Sequence, residues 1–320
     1  MEDLSAAHYI RGMEINMVYT LTFNPSLDYT LEFDDISPGR LNRAKSTAIT
    51  PGGKGINVSR ILTGLGVDNL ILGFTAGFTG DEIERSLKGL GCRSEFIKLD
   101  RGCSRINVKV RSGSVTELNA PGPEISRDAL FQLFNRLDRL AKDDYLVLAG
   151  NIPGGLPDYT CGQILEKMNS KEVRTIVDMS GAALLSALGF EPFLIKPNRQ
   201  ELEELFCARR SSREDSEKYI RRLQEKGARN VLVSLDSEGA ILLTENNELY
   251  YQAAPEGKVI NPVGAGDSMV AGFIWGFIRS GDYREALKCG VSAGSASAFS
   301  PDLALGEDIK ALRSLMGLSH

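Results

Sequence analysis

Short apolar runs alternate with segments of helical periodicity along most of this chain, and this alternation limits the folds that it can adopt. The apolar runs show little alternation with polar residues, which is typical of strands buried on both faces. Helices between such strands indicate a mainly parallel sheet covered on both sides. The predicted strands span residues 17–23, 70–74, 145–149, 175–177, 193–195 and 230–235, and the predicted helices span residues 57–65, 81–90 and 128–141.

Two further segments, residues 29–33 and 105–111, alternate polar with apolar side chains, as strands with one buried face do. With residues 115–119 they predict either a small antiparallel sheet beside the main one or an extension of its edge. A separate sheet built from segments near 28–50 and 103–120 would suit a lid.

The 320 residues are enough for one large α/β domain. We expect that domain to occupy residues 17–320, because no linker-like or repeated segment interrupts them. Residues 1–16 precede the first strand pattern and are expected to form a disordered extension.

Composition and charge exclude several classes of function. The formal net charge of −5 argues against nucleic acid as a partner. No apolar run approaches the roughly 20 residues that span a bilayer, and no secretory signal is evident, so we expect a cytoplasmic protein without a membrane partner. Five cysteines without C-x-x-C spacing support neither a disulfide framework nor a zinc site.

The two histidines, His8 and His320, lie close to the ends of the chain. Serine–histidine hydrolysis, histidine-ligated metal and histidine phosphotransfer each need a histidine inside the folded domain. Acid–base chemistry is therefore expected to come from carboxylates.

The strongest chemical motif is a glycine-rich turn at residues 263–268, directly before an apolar, helix-like run. Gly264, Ala265 and Gly266 would present backbone N–H groups at the positive end of a helix dipole, which suits an anion. Asp267 would repel an anion in that pocket, so it fits a base that takes the proton of an attacking hydroxyl. An anion cradle beside a base indicates a kinase.

Two commoner nucleotide-binding motifs are missing from the sequence. A dinucleotide fingerprint would need a third glycine where Met269 stands. A Walker loop needs Gly-Lys followed by Ser or Thr, but Lys54 is followed by glycine and Lys258 by valine.

Two polar segments near the start of the chain are candidates for sugar binding. Asp28 follows the first strand, where ligands of parallel sheets bind, although an Asp after a turn is often only a cap. Gly52 and Gly53 would let a ligand approach the backbone, while Lys54 adds positive charge and Asn57 bonds hydroxyls in both directions. A plain glycine-rich loop is the alternative interpretation.

Later segments are candidates for nucleotide and metal binding. Lys196, Asn198 and Glu201 follow a buried strand, and the Asn-x-x-Glu spacing suits Mg²⁺ held through water. The same spacing is also that of a helix capping box. Ser234 and Gly239 flank a turn between two strands, which either lines a nucleotide or is an ordinary hairpin.

Residues 286–300 are unusually rich in Ala, Ser and Gly. Such residues permit close helix packing, and they also leave room for a flat purine beside Ala293 and Ser297.

Taken in order, these segments resemble the PfkB (ribokinase-like) carbohydrate kinases from Met17 to about Ser300. The two signatures are Gly-Gly-Lys-Gly-Ile-Asn-Val at 52–58 and Asn-Pro-Val-Gly-Ala-Gly-Asp-Ser at 261–268, with Asn-x-x-Glu between them. The resemblance implies a three-layer α/β sandwich with a mainly parallel central sheet and a small β lid. It also implies ATP and Mg²⁺ as cofactors, and a homodimer through the lid is a further expectation.

Within this family, the segments at 24–28, 104–109 and 119–123 look most like the kinases that act on fructose 1-phosphate. The resemblance thus implies phosphorylation of fructose 1-phosphate to fructose 1,6-bisphosphate. Tagatose 6-phosphate and fructose 6-phosphate remain alternatives, because the motifs do not fix which carbon carries the phosphate. A non-catalytic sugar-phosphate sensor and a nicotinamide-dependent oxidoreductase are weaker alternatives.

The resemblance also implies a role for each matched residue. Asp267 would be the general base, and Gly264, Ala265 and Gly266 the anion hole. The sugar would be held by Asp28, Gly52, Gly53 and Asn57, and its phosphate by Lys54, Arg105 and Asn151. The nucleotide would be held by Lys196, Asn198, Ser234, Gly239, Ala293 and Ser297. Glu201 would bind Mg²⁺ through water.

Three positions depart from the family pattern. Asn151 stands where serine is usual near the substrate phosphate, and Pro262 stands where Thr or Ser is common. Asp236 replaces a frequent glycine and would bring a carboxylate close to the ATP phosphates.

Overall fold

The computed structural model describes residues 16–150, 152–153, 155–157, 159–209 and 212–316, so nearly all of the predicted N-terminal extension lies outside the described residues. The strands are β1 Val18–Thr22, β2 Ser26–Glu32, β3 Ser46–Gly52, β4 Asn69–Ala76, β5 Ser94–Leu99, β6 Arg105–Ser112, β7 Ser114–Asn119, β8 Tyr145–Ala149, β9 Arg174–Asp178, β10 Leu194–Ile195, β11 Asn230–Ser234, β12 Ala240–Leu243 and β13 Leu249–Gln252. The helices are α1 Lys54–Leu65, α2 Gly77–Gly89, α3 Arg127–Leu137, α4 Thr160–Ser170, α5 Gly181–Leu188, α6 Arg199–Leu205, α7 Arg213–Glu225, α8 Ala265–Ser280, α9 Tyr283–Ala298 and α10 Gly306–Leu315.

The main sheet has nine strands in the order β13-β12-β11-β10-β9-β8-β1-β4-β5. Neighbouring strands from β11 to β5 pair in parallel, whereas β12 and β13 extend one edge in antiparallel pairing. The predicted mainly parallel sheet is therefore confirmed.

Helices cover both faces of this sheet. Buried side chains of α3 to α7 form one apolar cluster, and those of α1, α8, α9 and α10 form a second cluster on the opposite face. A smaller cluster joins α2 to β2, β4 and β5. The predicted three-layer α/β arrangement is thus confirmed. None of the described helices is long and apolar enough to cross a bilayer.

A separate four-stranded sheet, in the order β3-β2-β6-β7, stands beside the main one. We call it the small sheet. The prediction of an antiparallel sheet is wrong for its central pair, because β2 and β6 run parallel. Strands β2 and β6 follow β1 and β5 respectively, and both leave the same carboxyl edge of the main sheet, so they enter the small sheet in the same direction. Strand β3, which lacks a clear alternation, was not among the predicted strands.

Close packing of α8 against α9 fixes the start of α8, where the predicted anion hole lies. A Cβ built at Gly272 would lie 2.4 Å from the carbonyl oxygen of Cys289 and 2.7 Å from the Cβ of Ala293. Only glycine allows the two helices to approach this closely.

We predict that Gly272→Ala lowers the free energy of unfolding by about 1–3 kcal/mol, because the added methyl group overpacks the α8–α9 contact. Gly89→Ala is the matched control, since a Cβ at that exposed helix end meets nothing within 4 Å and alanine is the better helix former. Urea unfolding of both variants measures the difference. Equal stability of the two variants would contradict the packing argument.

Candidate active site

A cavity of about 1010 Å³ lies between the carboxyl ends of the main-sheet strands and the inner face of the small sheet. Loops at the carboxyl ends of parallel strands meet at one edge of a sheet, which is why motifs far apart in sequence converge there. The predicted site residues that line the cavity are Asp28, Gly53, Lys54, Asn57, Arg105, Lys196, Asn198, Ser234, Gly239, Gly264, Ala265, Gly266 and Asp267.

Asp267 occupies the first turn of α8 and is only 6% exposed. The side-chain amide of Asn57 donates a hydrogen bond of 2.8 Å to its Oδ2. Burial, reinforced by the negative charge of Asp178, raises the pKa of Asp267 to about 7, against the opposing effects of Asn57, Lys54 and Lys196. A carboxylate with a pKa near neutrality suits general base catalysis.

Asp178, at the end of β9, binds two lysines from different motifs. The Nζ atoms of Lys54 and Lys196 lie 3.2 and 3.5 Å from its Oδ1. Burial alone would raise the pKa of Asp178, but the two lysines hold it below its ordinary value. Burial likewise opposes the charge of Lys54, yet Asp178 and Asp267 raise the pKa of that lysine. A Cβ at Gly266 would lie 3.2 Å from the Nζ of Lys196, so this glycine admits the ammonium group to the start of α8.

The N-terminus of α8 offers free backbone donors. Gly264 precedes the helix with φ 81, a left-handed conformation that glycine adopts without strain. Ala265 donates its N–H to the carbonyl oxygen of Pro262 at 3.2 Å, so that donor is already used. Within the described ranges, the N–H groups of Gly264, Gly266 and Asp267 have no acceptor. The N–H groups of Gly264, Gly266 and Asp267 are therefore free to bind an anion, whereas that of Ala265 is not.

Asp28 is held in one orientation by three donors. Its Oδ1 accepts hydrogen bonds from Ser26 Oγ at 2.7 Å and Asn107 Nδ2 at 3.2 Å, and Lys109 Nζ lies 2.8 Å from its Oδ2. Gly52 does not line the cavity, contrary to its predicted contact with the sugar. A Cβ there would lie 2.6 Å from the carboxyl group of Asp28, so Gly52 leaves space for that side chain.

Arg105 is the predicted phosphate contact whose charge is available. Its Nε donates to the carbonyl oxygen of Asn24 at 3.2 Å, and among the described residues no carboxylate lies within 4.0 Å of its guanidinium group. Burial lowers its pKa, with Asp28 opposing the shift. Lys54, by contrast, is paired with Asp178.

The far end of the cavity contains Asn198, Ser234, Asp236 and Gly239. Gly239 has φ 105, and a Cβ there would lie 2.0 Å from the carbonyl oxygen of Gln252, so only glycine fits. Asp236 also has a positive φ of 51. Glycine adopts this left-handed conformation more readily than aspartate does.

Asn198 and Glu201 form the capping box that the sequence left as an alternative. Asn198 N–H donates to Glu201 Oε2 at 2.9 Å, and Glu201 N–H donates to Asn198 Oδ1 at 2.7 Å. Glu201 does not line the cavity. The part of the chain that the structure describes contains no group of three or more acidic, His or Cys residues able to hold a metal directly.

Two residues predicted to contact the nucleotide do not reach the cavity. Ala293 and Ser297 are fully buried, and Ser297 Oγ shares a hydrogen bond of 2.8 Å with Ser268 Oγ. Helical periodicity turns positions 293 and 297 toward α8, while the neighbouring stripe of α9 faces the cavity. That stripe comprises Val291, Gly294, Ser295 and Ala298. Asn151, the remaining predicted contact, lies outside the described residues.

Several cavity residues escaped the sequence prediction. Asp178 directly follows a predicted buried strand, so its place at a carboxyl end was a usable signal. Asn107 and Lys109 alternate with Arg105 along β6 and therefore share its face. The other missed residues include Glu117, Asn119, Glu256 and Phe299.

Comparison with known proteins agrees with this geometry. A sequence model of the pfkB family of carbohydrate kinases matches residues 16–309. The chain belongs to the pfkB family. It is thus a phosphotransferase with an alcohol group as acceptor, and the predicted family and enzyme class are confirmed.

Individual relatives in the pfkB family are similar over almost their whole length. A 1-phosphofructokinase of Bacillus subtilis (strain 168) is 42% identical over 296 residues, which cover 92% of this chain and 97% of that protein. A D-tagatose-1-phosphate kinase of Bacillus licheniformis is 36% identical over 288 residues, covering 90% and 94%. The structure of phosphofructokinase-2 from Escherichia coli in complex with substrates and products has a TM-score of 0.89 and 28% identity, covering 94% of this chain and 99% of that one.

We predict that Asp267→Asn lowers kcat by roughly 10²–10⁴, because an amide cannot accept the proton of the attacking hydroxyl. ATP binding should change little. Steady-state kinetics with a sugar phosphate at saturation measures the effect, with Asp308→Asn, an exposed aspartate on α10, as control. Near-normal turnover of Asp267→Asn would remove this residue from the mechanism.

Proposed function

We propose that this protein transfers the γ-phosphoryl group of ATP to the 6-hydroxyl of fructose 1-phosphate, which yields fructose 1,6-bisphosphate and ADP. The observation that carries the reaction type is the buried carboxylate of Asp267 beside the free N–H groups that begin α8. Support for the substrate comes from the 42% identity with a 1-phosphofructokinase.

The proposed reaction assigns a role to each group. Asp267 takes the proton of the sugar hydroxyl as the hydroxyl oxygen forms a bond to the γ-phosphorus. The bond between that phosphorus and the β–γ bridging oxygen breaks, and its electron pair leaves with ADP. The N–H groups of Gly264 and Gly266 and the ammonium of Lys196 are suited to stabilise charge on the transferring group.

Mg²⁺ is expected with ATP in this family, and the residues present fit an ion held through water. No acidic cage exists among the described residues, while Asn198 lines the nucleotide end of the cavity and the half-buried Glu201 is hydrogen-bonded directly behind it. When bound, the ion would neutralise charge on the phosphates. Asn198 and Glu201 would then orient its water ligands.

The sugar phosphate would occupy the end of the cavity beneath the small sheet. Asp28 is suited to accept hydrogen bonds from sugar hydroxyls, and Arg105 to bind the existing phosphate. The positive charge of Arg105 is needed there because a second phosphate is being added to an anion.

A homodimer through the small sheet is part of the proposal. An apolar row crosses the small sheet, because directly paired residues of its four strands are all apolar or aromatic. The row consists of Ile49 on β3, Tyr29 on β2, Val108 on β6 and Leu118 on β7. This row faces away from the cavity, and Ile49 and Leu118 are 57% and 58% exposed. A second copy is a self-complementary partner for such a row. Phosphofructokinase-2 of Escherichia coli has a tetrameric inhibited form, which supports self-association within the family.

We predict that Leu118→Asp converts a dimer into a monomer, because it places a charge in the apolar row. Light scattering coupled to size exclusion measures the mass, with Val115→Asp, an exposed position on the opposite face of β7, as control. A wild-type chain that runs as a monomer would contradict the dimer proposal.

The substrate is tested with an ADP-release assay on fructose 1-phosphate, tagatose 1-phosphate, tagatose 6-phosphate and fructose 6-phosphate. Tagatose 1-phosphate is included because a relative at 36% identity is named for it. We expect kcat/KM for fructose 1-phosphate to exceed the others at least about tenfold, a difference of roughly 1.4 kcal/mol in transition-state binding. A preference for any other sugar phosphate would move the substrate assignment, and no turnover would overturn the kinase proposal.

A further inference from the structure

The ion pair between Lys109 and Asp28 joins strands β6 and β2 of the small sheet where both side chains line the cavity. The Nζ of Lys109 lies 2.8 Å from Asp28 Oδ2, and the two side chains are only 13% and 14% exposed. Both residues line the main cavity and a second cavity of about 380 Å³ behind it. The pair therefore forms part of the wall between the two cavities.

Lys109 pairs with Asp28 although another carboxylate lies directly opposite it in the small sheet. Its direct neighbour across β6 and β7 is Glu117, an exposed carboxylate at ordinary pairing distance for long side chains. On β2 its direct neighbour is Thr30, two residues beyond Asp28. The ammonium group nonetheless reaches diagonally to Asp28, the carboxylate proposed to bind the sugar.

The hydrogen bonds of Asp28 leave one position for a ligand. An ionised carboxylate has about four lone-pair sites. Ser26, Asn107 and Lys109 occupy three of them, and all three donors lie on β2 or β6. The remaining site is on Oδ2, the oxygen that Lys109 fixes.

A purely structural role explains the pair less well. A largely buried ion pair contributes little stability over apolar side chains of the same size, because desolvation offsets the attraction. The backbone hydrogen bonds between β2 and β6 already hold the two strands together in register.

We propose that Lys109 is a positioning residue for sugar-phosphate binding, acting through the carboxylate of Asp28. Lys109 fixes Oδ2 of Asp28 so that its free lone pair meets a sugar hydroxyl. This inference rests on the proposed function, since it assigns Asp28 to the sugar.

The test is a double-mutant cycle on the full-length protein with Lys109→Met and Asp28→Asn. The assay uses whichever of the four sugar phosphates the wild type turns over fastest. We expect Lys109→Met to raise KM for the sugar phosphate about 10- to 100-fold, the effect of losing a charge-assisted hydrogen bond. KM for ATP should change less than about twofold, and kcat less than about threefold. In the Asp28→Asn background, Lys109→Met should change KM less than about twofold.

Three further variants separate positioning from general damage. Lys109→Arg, which keeps the charge, should recover part of the affinity, and Lys109→Gln serves if the methionine variant does not fold. Lys98→Met, at an exposed lysine paired with Asp81 on the surface, is the control.

An unchanged KM for the sugar phosphate in Lys109→Met would overturn the inference. Equal increases in KM for the sugar and for ATP would also overturn it, because they indicate structural damage. Full additivity in the double mutant would show that Lys109 acts independently of Asp28 and would contradict the positioning role. A wild type without turnover on any of the four sugar phosphates would contradict the proposed function. An unchanged KM for the sugar phosphate in an active Lys109→Met variant would contradict this inference alone, so the two failures are distinguishable.

Discussion

Two buried carboxylates, Asp178 and Asp267, share one cavity with Lys54 and Lys196, and the site depends on which carboxylate pairs with the lysines. Asp178 accepts both lysines, so Asp267 is left with the amide of Asn57 as its hydrogen-bond donor. Asp178 is thereby kept ionised, and its negative charge adds to the burial that makes Asp267 more basic. The division is possible because the parallel strands end at one edge, where loops from distant segments meet.

The small sheet supplies the other half of the site. Its inner face carries Arg105, Asn107 and Lys109 on alternate positions of β6, and its outer face carries apolar residues at the intervening positions. One strand therefore contributes to both the proposed sugar site and the proposed dimer contact. Because side chains of β2 and β6 hold Asp28, any movement of this sheet would move the carboxylate that we propose binds the sugar.

Much of the fold and part of the site could be predicted from the sequence. The buried strands are unambiguous because both faces are apolar, and the turn at 263–268 combines a glycine pattern with a carboxylate. Strand β3 and the parallel pairing of β2 with β6 were missed, since both depend on contacts between distant segments. Asp178 was missed because a single aspartate after a strand has no motif around it. Ala293 and Ser297 were placed at the nucleotide by composition, which does not determine which side of a helix faces the cavity.

The raised pKa of Asp267 is the central claim, and the pH dependence of stability tests it without any substrate. Between about pH 4 and pH 7 the folded protein should keep a proton on Asp267 that the unfolded chain has lost. The stability from this group is therefore present at low pH and is lost as pH rises through about 7. Urea unfolding of the wild type and of Asp267→Asn should show a stability difference in favour of the variant that grows from pH 5 to pH 8. A difference that stays constant over this range would show that Asp267 titrates normally and would contradict the account.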